Sequence, residues 1–337
     1  MQNPGPITAS IPPTGANQRI LFVTSTRVGD AVLSTGVFNR LVLDHPQARF
    51  TVACGPAAAG LFAAAPNLER LIVLDKMPLS LHWLDLWARC VGHVWDMVVD
   101  LRNAPLTWLL VARRQRRMGS GRAPIHRVRL YGRVIGREND PPAPGLWTGP
   151  EHEDEARGLL PDGVPVLAVG PTANWRAKTW RPERFLELIR RLTAPGGVLP
   201  GASVALFGRD DERPQAMRLI ESIPPERRID LIGRIGLPTA YACFKRAALY
   251  VGNDSGLMHM AAAAGAPTLG LFGPSREELY APWGSRAAVV RADKSYDAIF
   301  PEGFDHRTSD SLMDSLTVEA VEAAARALLS RLREKAA

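Results

Sequence analysis

Cysteine is scarce in this chain of 337 residues, and its three copies lie far apart. An odd, widely spaced set (Cys54, Cys90 and Cys243) excludes the disulfide framework of small secreted domains and fits a reducing compartment. Lysine is scarce too, with five copies against 36 arginines. A lysine in a loop is therefore more informative here than in an average protein.

The sequence also lacks an apolar run long enough to span a bilayer. The longest candidate, residues 256–273, is interrupted by His259, Gly265 and Pro267, which divide it into a helix and a strand. Residues 1–18 are rich in proline and glycine, without the basic start and apolar core of a signal peptide. We therefore expect a disordered tail and a cytoplasmic protein, with any membrane contact peripheral.

Several motifs that mark enzyme sites are missing. The chain has no D-x-D pair, no Walker loop, no H-E-x-x-H, no G-x-S-x-G and no G-x-G-x-x-G after a strand. These absences argue against a metal-bridged sugar nucleotide, a P-loop and a dinucleotide fold of the usual kind. We expect no metal and no resident cofactor.

Strand-length apolar runs that alternate with helical stretches are what the chain does contain, in two series. Hydrophobic residues make up 46% and charged residues 22%, which is typical of a globular protein. The proline-rich segment 141–150 separates the two series. We predict an α/β protein of two Rossmann-like domains, residues 19–150 and 151–316, whose parallel sheets face each other across a cleft.

The stretch from Tyr250 to Ala261 is the strongest candidate for a binding site. An apolar strand leads through Asp254 and Ser255 into a helix that begins at Gly256 and carries His259 one turn later. Free N–H groups and the positive helix end make such a turn suited to an anion, and we expect Gly256 to let a ligand approach the backbone. An ordinary strand–turn–helix capped by Ser255 fits the same residues.

A second candidate is Asp30, in the turn Ser25-Thr26-Arg27-Val28-Gly29-Asp30 that follows the first strand. A carboxylate at this place, facing the cleft, is suited to act as a general base. We expect the helix N-terminus to keep it ionised. A purely structural role at the start of the helix is the alternative.

Two further strand ends in the second series carry charged side chains. Lys178, in the loop Gly170 to Trp180, is suited to neutralise a diphosphate, and a solvated loop lysine is the alternative. Asp211, in the turn 208–212, is suited to bind ribose hydroxyls, although an acid at a helix start is common.

Residues 113–137 hold nine arginines and no acidic residue, in a chain whose net charge is +7. Arginines such as Arg113 and Arg117 are suited to phosphates or acidic sugars of a substrate, or to an anionic membrane face. Apart from Tyr131 the stretch lacks interleaved aromatic residues, so we expect no nucleic acid partner. A solvated basic surface is the alternative.

Together these stretches resemble glycosyltransferase family 9, the ADP-heptose:lipopolysaccharide heptosyltransferases, over residues 19–329. Three motifs carry the resemblance in the right order: Gly29-Asp30 after the first strand, Lys178-Thr179-Trp180, and N-D-S-G-x-x-H at Asn253 to His259. The chain departs from the family at Gly36, where a proline is usual, and by the extra Arg181.

The resemblance implies a GT-B type fold and an inverting, metal-independent transfer of heptose from ADP-heptose to an inner-core sugar of a lipid-anchored acceptor. It implies that the last helix, within residues 317–337, packs back towards the first domain. Asp30 is then the general base. The donor is expected to contact Asn174, Lys178, Asp211, Asp254, Ser255, Gly256 and His259. The acceptor is expected to contact Thr26, Gly29, Arg113 and Arg117.

Two other functions fit the same residues. One is another GT-B enzyme acting on a different sugar nucleotide, including a nucleotide-sugar epimerase. The other is a sugar-nucleotide-binding protein without catalysis, against which Asp30 and Lys178 argue. A periplasmic solute-binding protein also has two α/β lobes, but the missing signal peptide counts against it.

Overall fold

The structure, a computed structural model, describes residues 18–120, 123–305 and 308–335. The expected disordered tail, residues 1–18, lies outside the described residues except for Gln18. Among the helices of the described residues, none is both long enough and apolar enough to cross a membrane.

Five parallel strands and four α-helices form the first half, counted over residues 18–120 and 123–149. They follow the chain as β1 (Arg19–Val23), α1 (Val28–Asp44), β2 (Arg49–Cys54), α2 (Pro56–Ala59), β3 (Leu68–Val73), α3 (His82–Cys90), β4 (Trp95–Asp100), β5 (Ala112–Arg117) and α4 (Arg127–Val134). Short 3-10 helices cover Pro78–Ser80 and Pro105–Leu109. The strand order is β3-β2-β1-β4-β5.

In the described part of the second half there are six parallel strands and eight α-helices. They are α5 (Pro150–Leu159), β6 (Val166–Gly170), α6 (Pro182–Thr193), β7 (Ser203–Leu206), α7 (Arg213–Ser222), β8 (Arg228–Asp230), α8 (Leu237–Lys245), β9 (Leu249–Asn253), α9 (Gly256–Ala263), β10 (Thr268–Phe272), α10 (Glu277–Tyr280), β11 (Ala287–Arg291), α11 (Tyr296–Ile299) and α12 (Val318–Glu334). The 3-10 helices are Arg176–Lys178 and Asp210–Glu212. The strand order is β11-β10-β9-β6-β7-β8.

The central strands of the second sheet are buried from end to end. All five residues of β6, β9 and β10 are buried. Parallel sheets covered by helices on both faces require such continuous apolar runs, which is why the sequence revealed these strands. The edge of the first sheet lacks such a run: the chain there forms a short 3-10 helix and then the arginine-rich strand β5.

The segment between the halves, residues 141–149, is fixed against α1 rather than loose. Trp147 packs its ring 5.1 Å from that of Phe38, and the Asn39 side chain donates a hydrogen bond to the Gly145 carbonyl. A β-carbon on Gly36 would lie 2.1 Å from the Pro142 carbonyl oxygen. The close passage of this segment explains why glycine occupies position 36.

The last helix, which we predicted to pack back towards the first half, makes its main contacts with the second half. α12 packs against α6, β10 and β11 of the second half. Its buried residues Val321, Ala325 and Leu328 belong to the same apolar cluster as Leu188 of α6. The apolar face of α12 thus covers one face of the second sheet, which leaves it no apolar surface for the first half.

Candidate active site

The predicted site residues lie where the strand order reverses in each sheet. In the first sheet this point lies between β1 and β4, and Asp30 follows β1. In the second it lies between β6 and β9, which are followed by Lys178 and Asp254. At such a point the loops that follow two neighbouring strands run in opposite directions. They leave a crevice at the carboxyl ends of the strands, which is the usual ligand site of open α/β sheets.

The two halves meet through the N-termini of α1 and α9. A β-carbon on Gly256 would lie 2.8 Å from Cγ1 of Val28 and 3.1 Å from the backbone nitrogen of Gly29. One on Gly29 would lie 3.1 Å from Cδ2 of His259. The space that a side chain at position 256 would fill is therefore taken by α1. Glycine at position 256 therefore permits the close approach of the two helices.

Lys178 and Asp254 form an almost buried ion pair at the N-terminus of α9. Lys178 Nζ donates to Asp254 Oδ2 at 2.5 Å and lies 5.1 Å from the centre of the Trp175 ring. The 3-10 helix that ends at Lys178 carries the ammonium group across from the end of β6 to the turn after β9. The pair fixes one positive and one negative group beside the free N–H groups of the α9 N-terminus.

Asn253 fastens the two loops of this site together. Its buried side chain accepts a hydrogen bond from the Trp180 backbone N–H at 3.0 Å and donates one to the Pro171 carbonyl at 2.9 Å. Pro171 and Trp180 bracket the loop that carries Lys178. This role of Asn253 is not evident from the sequence, because its partners lie more than 70 residues away in the chain.

Several buried polar atoms at the α9 mouth lack partners. Within the described part of the chain, His259 Nδ1 and Ser275 Oγ accept and donate no hydrogen bond, and the hydroxyls of Tyr250 and Ser255 have no partner other than each other. Burial lowers the pKa of His259 to about 4, so its imidazole is neutral at neutral pH. Because unpaired buried polar groups are costly, this cluster is suited to a polar ligand.

Asp30 lies in a cavity of about 360 Å³ at the carboxyl edge of the first sheet. Burial raises the pKa of Asp30 above its ordinary value, Asp254 adds to the increase, and Arg127, Arg27 and Arg102 oppose it. Desolvation is thus the largest of these influences on the pKa of Asp30. Among the described residues none forms a hydrogen bond or ion pair with this carboxylate, so it is free to accept a proton.

Residues of the second half close this cavity. Tyr280 of α10 lines it, and its hydroxyl accepts a hydrogen bond from Nε of Arg127 at 3.0 Å. Next to it, Nε2 of His126 lies 2.9 Å from the Ala281 carbonyl oxygen, and the His126 and Trp283 rings are 4.8 Å apart. The Asp30 cavity is therefore complete only when the halves are together.

Of the predicted acceptor contacts, Thr26 lines the cavity and Gly29 lies at the junction with His259. Arg113 and Arg117 are not among the residues that line the cavity. Arg113 pairs with Asp96 at the amino edge of the sheet, opposite the cavity. Arg117 is held in a buried ion pair with Asp100 at 3.1 Å.

Arg102 occupies the place that the sequence analysis gave to those two arginines. It lies two residues beyond the end of β4 and lines the cavity, while Asp100 accepts a hydrogen bond from its backbone N–H at 2.8 Å. Arg27 and Arg127 complete a basic wall around Asp30. The sequence does show an arginine just beyond a buried strand, which is the signal that could have identified Arg102. Only the strand order shows that this strand, β4, lies beside β1 and therefore beside Asp30.

Two predicted donor contacts are exposed. Asp211 forms an ion pair with its neighbour Arg209 in the turn after β7, and its contact with the donor stays a prediction. Glu212 is the acid that reaches the end of β6: it accepts a hydrogen bond from the buried Thr172 hydroxyl at 2.8 Å. Asn174 is exposed in the Lys178 loop and forms no hydrogen bond within the described ranges.

Metal-binding groups are not clustered at this site. In residues 18–120, 123–305 and 308–335, no three His, Cys, Asp or Glu side chains are close enough to hold one ion. The charged groups available to a ligand are instead Lys178, the arginines of the cavity and the two helix N-termini.

Comparison with known proteins agrees with this architecture. The model of glycosyltransferase family 9 (heptosyltransferase) matches residues 87–301. The lipooligosaccharide heptosyltransferase 2 of Haemophilus influenzae is 25% identical over 312 residues, which cover 81% of this chain and 88% of that protein.

Two solved structures share the fold. The family 9 glycosyltransferase of Veillonella parvula has a TM-score of 0.77 at 21% identity, covering 93% of this chain and 98% of that one. The Escherichia coli heptosyltransferase WaaC with ADP has a TM-score of 0.68 at 18% identity, covering 92% and 100%. With two parallel-sheet domains of GT-B type and a family match over most of its length, this chain belongs to glycosyltransferase family 9 and is a glycosyltransferase.

Proposed function

We propose that this enzyme transfers a heptose from ADP-heptose to an inner-core sugar of lipopolysaccharide, with inversion and without a metal, at the cytoplasmic face of the inner membrane. The observation that carries the proposal is the junction of α1 and α9, which brings a free carboxylate, Asp30, up to an anion-binding helix mouth. The H. influenzae relative, a heptosyltransferase, and the ADP bound to E. coli WaaC support the sugar and the nucleotide.

The second half, residues 151–316, is proposed to bind the donor. The N–H groups at Ser255 and Gly256 and the Lys178 ammonium group are positioned for the diphosphate, whose charge increases as the bond to the sugar breaks. Asp254 and the neutral imidazole of His259 are positioned for sugar hydroxyls. Glu212, rather than Asp211, is the acid for the ribose.

The first half, residues 19–150, is proposed to bind the acceptor. An acceptor hydroxyl attacks the anomeric carbon as its proton passes to a carboxylate oxygen of Asp30. The new C–O bond forms while the bond from the anomeric carbon to the diphosphate oxygen breaks, which releases ADP. Attack from the face opposite the leaving group inverts the configuration, and the raised pKa makes Asp30 a stronger base than an exposed aspartate.

The charges around the two substrates support a mechanism that needs no metal. Lys178 and the α9 N-terminus supply preset positive charge at the diphosphate, the task of a divalent cation in many other enzymes. Arg27, Arg102 and Arg127 face the acceptor side, where they favour an anionic sugar or a phosphate.

The direct test is release of ADP from ADP-heptose by the purified enzyme with a delipidated inner-core acceptor. We expect turnover in the presence of a chelator, and loss of turnover in Asp30→Asn with ADP still protecting against thermal unfolding. Full turnover in Asp30→Asn would exclude its role as the base. Conversion of the donor without acceptor would indicate an epimerase, and preference for a UDP- or GDP-sugar would overturn the donor assignment.

A further inference from the structure

Two consecutive residues at the start of α4 bond to two consecutive residues at the end of α10. Nε2 of His126 lies 2.9 Å from the carbonyl oxygen of Ala281, and Nε of Arg127 donates to the hydroxyl of Tyr280 at 3.0 Å. The guanidinium carbon of Arg127 also lies 5.3 Å from the centre of the Tyr280 ring. Helix α4 belongs to the first half and α10 to the second, so these bonds cross the junction of the halves beside the Asp30 cavity.

The bond between His126 and Ala281 has a defined direction. The backbone N–H of Val128 donates to Nδ1 of His126 at 3.2 Å, so the hydrogen of the neutral imidazole is on Nε2, which donates to the Ala281 carbonyl. Burial lowers the pKa of His126, which keeps the ring in this neutral form at neutral pH. Because the same ring packs against Trp283, the segment 280–283 is held on α4 independently of Arg127.

Tyr280 is anchored to the second half. Glu277, in the first turn of α10, forms an ion pair with Arg291 at the end of β11. The Arg291 guanidinium also donates to the carbonyl of Gly273, the residue after β10, at 3.2 Å. These contacts fix α10 to the carboxyl ends of two strands, so the half-buried Tyr280 reaches the Asp30 cavity from a support on the second sheet.

Arg127 is the side chain that Tyr280 holds. It lines the cavity together with Arg27 and Arg102, and Asp30 is the one acid among the described residues that do so. Burial raises the pKa of Asp30, and of the three arginines Arg127 opposes this increase most. An arginine held at Nε and against a ring loses little further side-chain freedom when an anion binds, and such preorganisation favours binding.

We infer that Tyr280 is a positioning residue for the acceptor: through Tyr280 the second half holds Arg127 of the first half where it meets an anionic group of the acceptor. The inference rests on the proposed function, because it names how the second half takes part in recognising that acceptor. The half that is proposed to bind the donor thereby contributes to acceptor selection. Sequence alone does not reveal this role, since Arg127 and Tyr280 are 153 residues apart.

Initial rates of transfer from ADP-heptose to a soluble inner-core acceptor with anionic groups test this inference. Tyr280→Phe removes only the hydroxyl and should raise the acceptor KM roughly two- to tenfold, the range for one hydrogen bond, while kcat and the donor KM stay as in wild type. Arg127→Met should raise the same KM. Adding Tyr280→Phe to Arg127→Met should cause no further increase, because the two side chains act as one unit.

Tyr296→Phe is the matched control and should behave as wild type. The Tyr296 ring also lies against an arginine of the second half, 4.3 Å from the guanidinium carbon of Arg276, but it is not among the described residues that line the Asp30 cavity. An unchanged acceptor KM in Tyr280→Phe, a further increase in the double variant or an equal increase in Tyr296→Phe would overturn the inference. An equal increase in the donor KM of Tyr280→Phe would also overturn it, because a general loosening of the junction affects both substrates.

Binding of inorganic phosphate separates this inference from the proposed function. With ADP at a saturating concentration, phosphate should protect wild type and Tyr296→Phe against thermal unfolding more than it protects Tyr280→Phe or Arg127→Met. This pattern without any transfer from ADP-heptose would refute the proposed function alone. Transfer with equal phosphate protection in all four proteins would refute the inference alone.

Discussion

Replacing Gly256 by alanine tests whether the contact of the two halves is needed for catalysis. The added methyl group would lie 2.8 Å from Cγ1 of Val28, 2.9 Å from its Cβ and 3.1 Å from the Gly29 backbone nitrogen. Backbone atoms cannot rotate away, so α1 and α9 must separate. Overpacking of this kind costs about 1–3 kcal/mol.

The same change is favourable within α9 itself. Position 256 is the first helical residue and has no left-handed φ, so alanine fits there and favours the helix by roughly 0.5–1 kcal/mol. The strain therefore falls on the closed arrangement of the two halves. If transfer requires that arrangement, kcat/KM should fall by between about fivefold and about 150-fold, the equivalent of 1–3 kcal/mol.

Initial rates of ADP release, together with thermal protection by ADP, are the measurements. Protection should stay close to wild type because the proposed ADP site lies in the second half. Gly158→Ala is the matched control: this glycine also lies in a helix, and a β-carbon there would meet nothing within 4 Å. Wild-type kcat/KM in Gly256→Ala would refute the need for the α1–α9 contact. Loss of ADP protection would instead show that the methyl group blocks the nucleotide.

Three further predictions address the base, the loops and the cavity. Because burial raises the pKa of Asp30, ionisation of its carboxyl group destabilises the fold as pH rises through that pKa. Asp30→Asn should therefore unfold at a higher urea concentration than wild type at neutral pH. The kcat/KM of wild type should fall as pH decreases through the same pKa. Asn253→Ala should lower the free energy of unfolding by about 2–4 kcal/mol in urea titrations, because two buried hydrogen bonds lose their partner. Arg102→Gln should raise KM for a soluble anionic acceptor about tenfold, the order of one charge-assisted hydrogen bond, whereas Arg113→Gln should leave it unchanged.

The positions of Arg113, Arg117 and Asp211 in the structure show a limit of predicting site residues from local sequence patterns. Each was chosen because its residue type and its place near a strand end suited a ligand. The structure turns Arg113 to the amino edge, engages Arg117 with Asp100 and pairs Asp211 with its neighbour. Local sequence cannot distinguish a charged side chain that faces a cleft from one that serves the fold, because the decisive partners are distant in the chain.

The sequence by itself determined the α/β alternation, the two halves and the turns that hold Asp30, Lys178 and Asp254. These depend on short-range physics: continuous apolar runs form buried parallel strands, and a polar turn before a helix exposes N–H groups. The tertiary structure alone decided that β1 lies beside β4 and β6 beside β9, that Asp30 shares its cavity with Tyr280, and that Gly256 is a helix contact. It also placed α12 on the second sheet. Which strands and helices lie side by side depends on which apolar faces pack well against each other. The two faces of each contact come from distant stretches of the sequence, so neither stretch alone contains this information.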